Sequence, residues 1–214
     1  MAELPFSERA KGFVALVAEG GGSIAYDQWA SSYEVDVNSM NYSGYTSVVQ
    51  KWQSFHLNDV GKKHKLLDTG CGTGLAGELL LNSVSTPQAI QLYGGDISNE
   101  MLKVAKSKGI YTELQVINLK EELPYEANSF DSVICAGVFG VGHCGPECLP
   151  NILRVLKPGC FFIATVNKEL FDLTAKEWKK QISICNCELL ENTKMPYRDY
   201  ATAFVFVVRK LIQN

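Results

Sequence analysis

The chain has 214 residues, of which 46% are hydrophobic and 20% are charged, and its formal net charge is −3 at pH 7. This length predicts one globular domain that buries roughly 70% of its unfolded surface. The mild acidity, without a basic cluster interleaved with aromatics, argues against nucleic acid as a partner, and no apolar run approaches the ~20 residues that span a membrane. Seven scattered cysteines and an acidic N-terminus that does not fit a signal peptide favour a reducing compartment, so a cytoplasmic location is expected.

The segment before the main domain shows helical periodicity. After a flexible joint at Gly20–Gly22, the aromatic residues Tyr26, Trp29 and Tyr33 recur at i, i+3 and i+7, which is the spacing of a single helical face. A second helical pattern extends from about residue 42 to residue 55. These helices are expected to precede the sheet of the main domain.

From Lys65 onward, the pattern alternates between strands and helices. Five apolar segments are predicted as strands: HKLLDTG, AIQLYGGD, TELQVINL, FDSVICAGV and CFFIATVN. Three segments between them are predicted as helices: LAGELLLNSV, SNEMLKVAKSK with Ser98 as its cap, and ECLPNILRVL, which Pro158-Gly159 ends. Strands that alternate with helices predict a parallel sheet with right-handed crossovers and helices on both faces.

Two strand-like segments end the chain, CELLENTK and ATAFVFVVRK, with a Pro- and Tyr-containing loop between them. Because too little chain separates them for a helical crossover, they should pair antiparallel. The predicted fold class is therefore α/β: a doubly wound, seven-stranded, mostly parallel Rossmann-like sheet with an antiparallel C-terminal hairpin and helices on both faces.

The segment LLDTGCGTGLAGELL contains the dinucleotide-binding pattern GxGxxG at Gly72, Gly74 and Gly77. Glycines also punctuate ordinary strand-to-helix turns, so the pattern alone is weak. A triphosphate-binding loop is excluded because no Gly-Lys-Ser/Thr follows. Asp68 stands just before the glycines, where it would repel a pyrophosphate but would suit an α-ammonium or a sulfonium. The residues thus favour S-adenosylmethionine over a dinucleotide.

Other side chains follow the neighbouring strands at the same edge of the predicted sheet, where ligands of such sheets bind. Asp96 ends the second strand and can accept hydrogen bonds from both hydroxyls of a ribose. Ile97 and Met101 suit an adenine face, although ordinary helix packing explains them equally well. Asn118 can bond the adenine amino edge or simply turn its loop. Ala136 is small enough to let a ligand lie across the end of the fourth strand.

Four segments occur together in one order: LLDTGCGTGLAGELL, GGDIS followed by M, LPYEANSFDSV and NILRVLKPGCFFIATV. In this order and spacing, from about Tyr26 to the C-terminus, the chain resembles the class I S-adenosylmethionine-dependent methyltransferases. The resemblance implies S-adenosylmethionine as cofactor and S-adenosylhomocysteine as product. It also implies that residues 61–214 form the cofactor-binding methyltransferase domain and that residues 1–60 form a helical lid or cap, within one compact unit.

The resemblance implies roles for individual residues. Asp68 would hold the methionine end of the cofactor, and Asp96 would bind its ribose. The remaining implied contacts are Gly70, Cys71 and Gly72 along the methionine end, Asn118 with Leu119 at the adenine, and Tyr26 with Tyr33 closing over the site. Many family members carry an aspartate before LPY, where this chain reads NLKEELPY, so the adenine contact stays open between Asn118, Leu119 and a backbone amide.

His143, in the segment FGVGHCGPE after the fourth strand, is the candidate general base, although a loop histidine without a role explains it as well. A base is needed only if the methyl acceptor arrives protonated. The spacings of His143-Cys144-x3-Cys148 and Cys185-x-Cys187 do not match a zinc finger, and the second pair is predicted on opposite faces of a strand. No metal is therefore expected.

The leading hypothesis is a methyltransferase that acts on a small-molecule or peptidyl nucleophile, as a monomer or weak homodimer. The short segment between the fifth and sixth strands leaves no inserted substrate domain, and CAGV replaces the Asn/Asp-Pro-Pro-Tyr signature of amino methylation. Two alternatives stay open. One is a protein that binds S-adenosylmethionine without catalysis, and the other is an NAD-type oxidoreductase, which Asp68 and the terminal hairpin disfavour.

Overall fold

The computed structural model describes residues 22–56, 61–198 and 201–212, and a seven-stranded sheet lies at its centre. The strands in chain order are β1 (His64–Thr69), β2 (Ile90–Asp96), β3 (Glu113–Val116), β4 (Phe130–Phe139), β5 (Leu156–Asn167), β6 (Cys187–Arg198) and β7 (Ala201–Lys210). Their order across the sheet is β3-β2-β1-β4-β5-β7-β6. Strands β1 to β5 are parallel, and β7 pairs antiparallel with β5 and β6. The predicted mostly parallel sheet with an antiparallel C-terminal hairpin is therefore confirmed.

Helices cover both faces of this sheet. They are α1 (Gly22–Trp29), α2 (Tyr33–Ser39), α3 (Gly44–His56), α4 (Leu75–Ser83), α5 (Asn99–Ser107), α6 (Leu149–Val155) and α7 (Lys168–Ile184). Helices α3 and α4 bury Val48, Trp52 and Leu80 in the core on one face. Helices α6 and α7 bury Ile152 and Trp178 in the core on the other. None of the helices in the described ranges has the length and apolarity that a bilayer span needs.

The first predicted helical face is divided between two helices. Helix α1 ends at Trp29 and α2 begins at Tyr33. The turn between them is fixed by Asp36, whose Oδ2 accepts hydrogen bonds from Trp29 Nε1 at 2.7 Å and from the Ser32 hydroxyl at 2.9 Å. The three aromatic rings still lie together, because the ring of Trp29 is 6.2 Å from that of Tyr26 and 4.9 Å from that of Tyr33.

Three strand boundaries also differ from the prediction. Strand β3 ends at Val116 because Asn118 starts a turn. Strand β5 begins at Leu156, so that Pro158-Gly159 lie in an irregular stretch of the strand and not after the helix. Strand β6 continues to Arg198 because β7 is long enough to pair with all of it. Its proline is tolerated because β6 is an edge strand.

The direction of the strand order reverses at β1. The chain moves outward to one side of β1 through β2 and β3, and to the other side through β4 and β5. The carboxyl ends of β1 and β4 therefore border a crevice, and this is the position at which open α/β sheets bind ligands. The predicted site residues after β1, β2 and β4 all lie at this edge.

Candidate functional site

The loop that follows β1 brings its backbone to the crevice. Gly70, Gly72 and Gly74 have φ angles of +67°, +53° and +91°, in the left-handed region that favours glycine. The amides of Gly70 and Cys71 donate to the carbonyl of Gly95 at 2.7 and 3.0 Å, which ties the loop to the end of β2. A Cβ on Gly70 would lie 2.2 Å from a valine side chain, whereas a Cβ on Gly72 would meet nothing within 4 Å. Gly72 therefore borders open space.

Asp96, the last residue of β2, holds this loop through its carboxylate. Its Oδ2 accepts a hydrogen bond from the amide of Gly72 at 2.8 Å, and its Oδ1 accepts one from the amide of Ser98 at 2.9 Å. Asp96 is 9% exposed. Burial raises its pKa, although the hydrogen bonds from backbone amides act to lower it. Each carboxylate oxygen has a second lone pair, so Asp96 can accept further hydrogen bonds from a ligand.

Asp68 lies one residue before the end of β1 and is 1% exposed. Its Oδ2 accepts a hydrogen bond from the hydroxyl of Tyr111 at 2.8 Å. Its Oδ1 is buried and has no hydrogen-bonding partner among the described residues. Burial raises the pKa of Asp68 to about 7, against the lowering effects of the Tyr111 hydrogen bond and, to a smaller extent, of the backbone amide of Gly77. A buried carboxylate oxygen is costly unless a donor or a cation meets it.

Two polar contacts join the N-terminal helices to the domain beside the crevice. Asp27 in α1 accepts hydrogen bonds from the Ser98 hydroxyl at 2.6 Å and from a backbone amide in the first turn of α5 at 3.1 Å. Lys108 Nζ pairs with Glu34 of α2 at 2.8 Å and with Glu78 of α4 at 2.6 Å. Burial acts to lower the pKa of Lys108, but the two carboxylates outweigh it and raise the pKa. Helices α1 and α2 are thus fastened to the two ends of α5.

Aromatic side chains from the N-terminal helices and from the C-terminal hairpin meet above the end of β4. The rings of Tyr42 and Tyr197 pack edge to face with centroids 5.2 Å apart. The Tyr42 hydroxyl lies so close to Gly137 that a Cβ there would be 2.3 Å from it. Burial is the main cause that raises the pKa of the tyrosines gathered here, so their hydroxyls stay protonated at neutral pH: Tyr26, Tyr33, Tyr42 and Tyr197.

The other predicted cofactor residues differ in how much surface they present. Ile97, directly after β2, is 41% exposed, whereas Met101 is 1% exposed and packs in the interior. Leu119 is 5% exposed, and its carbonyl accepts a hydrogen bond from the side chain of Asn151 at 3.0 Å. Ala136 is half-buried near the end of β4. Cys71 is buried in the loop, and burial raises the pKa of its thiol.

Asn118 uses its side chain within its own turn. Its Oδ1 accepts a hydrogen bond from the amide of Lys120 at 3.1 Å, and its Nδ2 donates one to Glu121 at 2.9 Å. Both ends of the side-chain amide are therefore engaged. A contact between Asn118 and an adenine would require one of these hydrogen bonds to be exchanged.

His143 lies in the loop after β4, at the same edge of the sheet. Its amide donates to the carbonyl of Gly140 at 3.0 Å, and its ring is 6.0 Å from that of Tyr26. Burial, together with the nearby charges of Lys120 and Arg198, lowers the pKa of His143. Its imidazole is therefore neutral at pH 7 and able to accept a proton.

All seven cysteines are free thiols. A hydrogen bond between the thiols of Cys144 and Cys148 lowers the pKa of the first and raises that of the second. Cys185 directly follows α7 and Cys187 begins β6, so this pair does not lie on opposite faces of one strand as predicted. Within the described ranges, no group of three His, Cys, Asp or Glu side chains is arranged to hold a metal ion.

Four residues at the crevice were not identified from the sequence: Asp27, Tyr42, Tyr111 and Tyr197. Tyr111 lies in the turn between α5 and β3, and Tyr197 lies in a part of β6 that was predicted as a loop. Neither carries a local pattern that points to the crevice. Asp27 is adjacent to Tyr26 in the chain, but the periodicity drew attention only to the aromatic face of the helix.

The crevice and the sheet together define a class of protein. An acid near the end of β1, a glycine loop after it, a second acid at the end of β2 and an antiparallel β7 are the features of a class I methyltransferase domain. Residues 67–164 match the protein family described as a methyltransferase domain. The chain is thus a relative of the class I S-adenosylmethionine-dependent methyltransferases, and the resemblance predicted from the sequence is confirmed.

Two sequence relatives and one solved structure illustrate this relationship. The chain is 33% identical over 156 residues to human methyltransferase-like protein 27, across 71% of this chain and 60% of the relative. It is 31% identical over 148 residues to a demethylmenaquinone methyltransferase of Symbiobacterium thermophilum, across 64% of this chain and 55% of the relative. A TehB-like SAM-dependent methyltransferase from Corynebacterium glutamicum shares the fold, with a TM-score of 0.61 at 18% identity over 86% of this chain and 97% of that one. The chain therefore spans less than two thirds of the length of both sequence relatives.

Lys108→Ala is expected to loosen α2 without unfolding the domain. The substitution removes the cation between Glu34 and Glu78 and leaves two like charges facing each other. Amide hydrogen exchange in residues 33–39 should become about fivefold faster, on the order of 1 kcal/mol. Lys103→Ala is the matched control, because it removes an exposed ion pair with Glu100 within α5 and leaves Lys108 in place. Equal exchange rates in the two variants would show that Lys108 does not secure α2.

Proposed function

We propose that the protein is an S-adenosylmethionine-dependent methyltransferase that acts on a small molecule or a short peptide segment. The observation that carries this proposal is the pair of buried carboxylates, Asp68 and Asp96, on either side of a glycine loop with open space at Gly72. S-adenosylmethionine carries an ammonium and a sulfonium at one end and a ribose with two hydroxyls in the middle. The uncompensated Oδ1 of Asp68 fits a cationic group, and the carboxylate of Asp96 fits a ribose.

The remaining contacts of the cofactor follow from the same placement. Gly70, Cys71 and Gly72 would line the methionine end through their backbone. Exposed Ile97 offers an apolar face to the adenine, and Asn118 and Leu119, in the turn that follows β3, are proposed to meet its edge. Met101 is buried, so it would support the adenine-binding residues from the interior and not contact the adenine itself. When bound, S-adenosylmethionine supplies a methyl group activated by the sulfonium, and the protein binds and orients it.

The N-terminal helices support the proposed role of residues 1–60 as a lid over a domain formed by residues 61–214. Tyr26 and Tyr33 face the crevice, where electrostatic coupling to Asp96 contributes to the raised pKa of both hydroxyls. The remainder of the lid before residue 22 lies outside the described residues. A lid made of short helices leaves room for a small acceptor or a peptide segment. Methyl transfer between aligned atoms benefits from such exclusion of water.

His143 is proposed as the general base for an acceptor that arrives protonated. Its neutral imidazole stands beside Tyr26 at the edge where the acceptor would enter. The protonated tyrosine hydroxyls are able to donate hydrogen bonds but are too weakly acidic to ionise at neutral pH. Compared with these tyrosines, His143 is therefore the side chain that is suited to take a proton.

Calorimetric titration of the protein with S-adenosylhomocysteine, in parallel with NADH, tests the assignment. We expect micromolar binding of S-adenosylhomocysteine and none of NADH, because Asp68 disfavours a pyrophosphate at the loop. Binding of NADH alone would overturn the proposal in favour of an oxidoreductase. Tight S-adenosylhomocysteine binding without turnover of S-adenosylmethionine, across a panel of amines, thiols, phenols, carboxylic acids and short peptides, would favour a binding protein.

We also propose a compartment and an oligomeric state for the protein. Seven free thiols fit a reducing environment, so a cytoplasmic enzyme is expected. A net charge of −3 gives no general attraction to nucleic acid, and the protein is proposed to act as a monomer or weak homodimer.

A further inference from the structure

Tyr111 occupies a space that three glycines leave open. A Cβ on Gly77 would lie 2.5 Å from the Tyr111 hydroxyl, and a Cβ on Gly94 would lie 2.7 Å from Cε1 of its ring. Gly74 forms the third side, where a Cβ would lie 3.1 Å from Cε2. A Cβ in a protein essentially never lies less than 3.0 Å from a heavy atom to which it is not bonded. A side chain at Gly77 or Gly94 would therefore displace the tyrosine unless the surroundings shifted.

Backbone conformation does not explain Gly77 or Gly94. Neither has a positive φ angle, and they lie inside α4 and β2 respectively. Glycine destabilises a helix relative to alanine, and glycine within a strand weakens the strand. The atom nearest to a Cβ on Gly77 is the hydroxyl of Tyr111, whereas a Cβ on Gly94 would lie equally close to Leu114 and to Tyr111. Gly77 is therefore needed for the room that Tyr111 takes, and Gly94 for the room that Tyr111 and Leu114 take together.

The hydroxyl of Tyr111 ends on the functional site. It donates a hydrogen bond of 2.8 Å to Oδ2 of Asp68, and it leaves Oδ1 of that carboxylate without a partner among the described residues. Burial raises the pKa of Tyr111, so the hydroxyl remains a donor at neutral pH. A carboxylate held by one oxygen has its other oxygen in a fixed direction.

We infer that Tyr111 is a positioning residue for cofactor binding: its hydroxyl holds one oxygen of Asp68 so that the other meets the ammonium group at the methionine end. This inference rests on the proposed function. Tyr111 does not touch the ligand in this arrangement. Three glycines from the loop, α4 and β2 set the position of its ring, and the ring sets the position of the carboxylate.

The groups that face Asp68 determine how binding depends on pH. They are Tyr111 from the turn before β3, Asp96 from β2, Cys71 from the glycine loop and Cys135 from β4. Burial raises the pKa of both thiols, so they stay protonated near pH 7. The pKa of Asp68 is about 7, and a cationic ligand favours its ionised form. Affinity should therefore rise as the pH rises through this region and level off above it.

Tyr111→Phe separates this role from simple packing, because it keeps the ring and removes only the hydroxyl. The lost hydrogen bond acts to lower the pKa of Asp68, so the variant should have a higher pKa at Asp68. We expect S-adenosylhomocysteine binding, measured by calorimetry from pH 5.5 to pH 8, to weaken about tenfold at pH 7. The pH midpoint of the affinity should move upward.

Tyr93→Phe is the matched control. Tyr93 is adjacent to Gly94 in β2, but its half-buried ring packs on Phe130 in the core on the opposite face of the sheet, with centroids 5.4 Å apart. This variant should bind with the affinity and pH midpoint of the unaltered protein. A Tyr111→Phe variant that keeps that midpoint, or a Tyr93→Phe variant that shifts it equally, would overturn the positioning role. If the unaltered protein bound no S-adenosylhomocysteine at any pH, the proposed function itself would fail.

Gly77→Ala gives a second measurement that does not depend on the folding of Tyr111→Phe. Its methyl group would push against the Tyr111 hydroxyl, so S-adenosylhomocysteine binding should weaken to a similar extent. When combined with Tyr111→Phe, it should cause little further loss, because both changes break the same hydrogen bond. Independent, additive losses in the double variant would contradict the inference.

Discussion

Asp68→Asn is expected to change cofactor affinity and protein stability in opposite directions. Binding of S-adenosylhomocysteine at pH 8 should weaken about a hundredfold, because the amide keeps the size of the carboxylate but not the charge that meets the ammonium group. The ligand-free protein should at the same time become more stable, by up to about 4 kcal/mol at pH 8. The gain arises because Asp68 is 1% exposed and its charge is only partly compensated.

The sign of the stability effect follows from the pKa of Asp68. Its value of about 7 in the folded protein lies above the ordinary aspartate value of 3.8. The unfolded chain therefore loses this proton first, and the fold loses stability as the pH rises from about 4 to about 7. Above pH 7 the penalty is complete, and below pH 4 it is absent. Thermal unfolding of the two proteins across this range should thus converge at low pH.

Asp131→Asn is the control for these measurements. Asp131 lies at the amino end of β4, where it pairs with Lys157 at 2.6 Å. Burial acts to raise its pKa, but Lys157 outweighs this effect and lowers it, so its ionised form favours the fold. Asp131→Asn should leave S-adenosylhomocysteine affinity unchanged and reduce stability at pH 8. An Asp68→Asn variant that behaved in the same way would show that Asp68 is not in the ligand site.

The fold was predictable because its determinants are local. Each of the five parallel strands is an apolar segment followed by a helix-forming segment or a turn, and β6 and β7 are too close in sequence to pair in any other way. The predicted cap of α5 is confirmed, since the Ser98 hydroxyl accepts from the amide of Met101 at 3.1 Å. The predicted strand boundaries were wrong where pairing between strands outweighed the local preference of a residue. Pro158-Gly159 fit within β5, and β6 runs through its proline because a long partner strand was available.

The acids of the site were predictable because topology places strand ends together. Asp68 and Asp96 lie at or within one residue of the end of a strand, and parallel strands bring their carboxyl ends to one edge. The contacts between elements were not predictable. Nothing near Tyr111 in the sequence indicates Asp68, from which it is separated by 43 residues, and nothing near Asp27 indicates the start of α5.

The GxGxxG pattern illustrates the difference between a motif and its physical cause. Gly72 and Gly74 have positive φ angles and shape the loop itself. A glycine in the first turns of a helix lets the helix pack closely on a strand, and a Cβ on Gly77 would indeed meet Leu92 of β2. The nearest atom, however, is the hydroxyl of Tyr111, a residue outside the motif. The third glycine of the pattern therefore serves the carboxylate of Asp68 through a tyrosine.

Asp96→Ala is expected to weaken S-adenosylhomocysteine binding by about tenfold or more, because charged hydrogen bonds to the ribose are lost. Unchanged affinity in this variant would refute the ribose role. The same substitution also leaves the amides of Gly72 and Ser98 without their acceptor. Loss of affinity alone would therefore not separate a direct contact with the ribose from release of the loop.

A ligand fragment makes that separation. Methylthioadenosine keeps the ribose and the adenine of S-adenosylhomocysteine but lacks the amino acid. If Asp96 acts on the ribose directly, Asp96→Ala should weaken both ligands by the same factor, whereas Asp68→Asn should weaken only S-adenosylhomocysteine. If Asp96 acts by holding the loop, the loop's contacts with the methionine end are lost as well, and S-adenosylhomocysteine should lose more affinity than methylthioadenosine. Equal factors for the two ligands thus assign the ribose to Asp96, and unequal factors assign it a role in the loop.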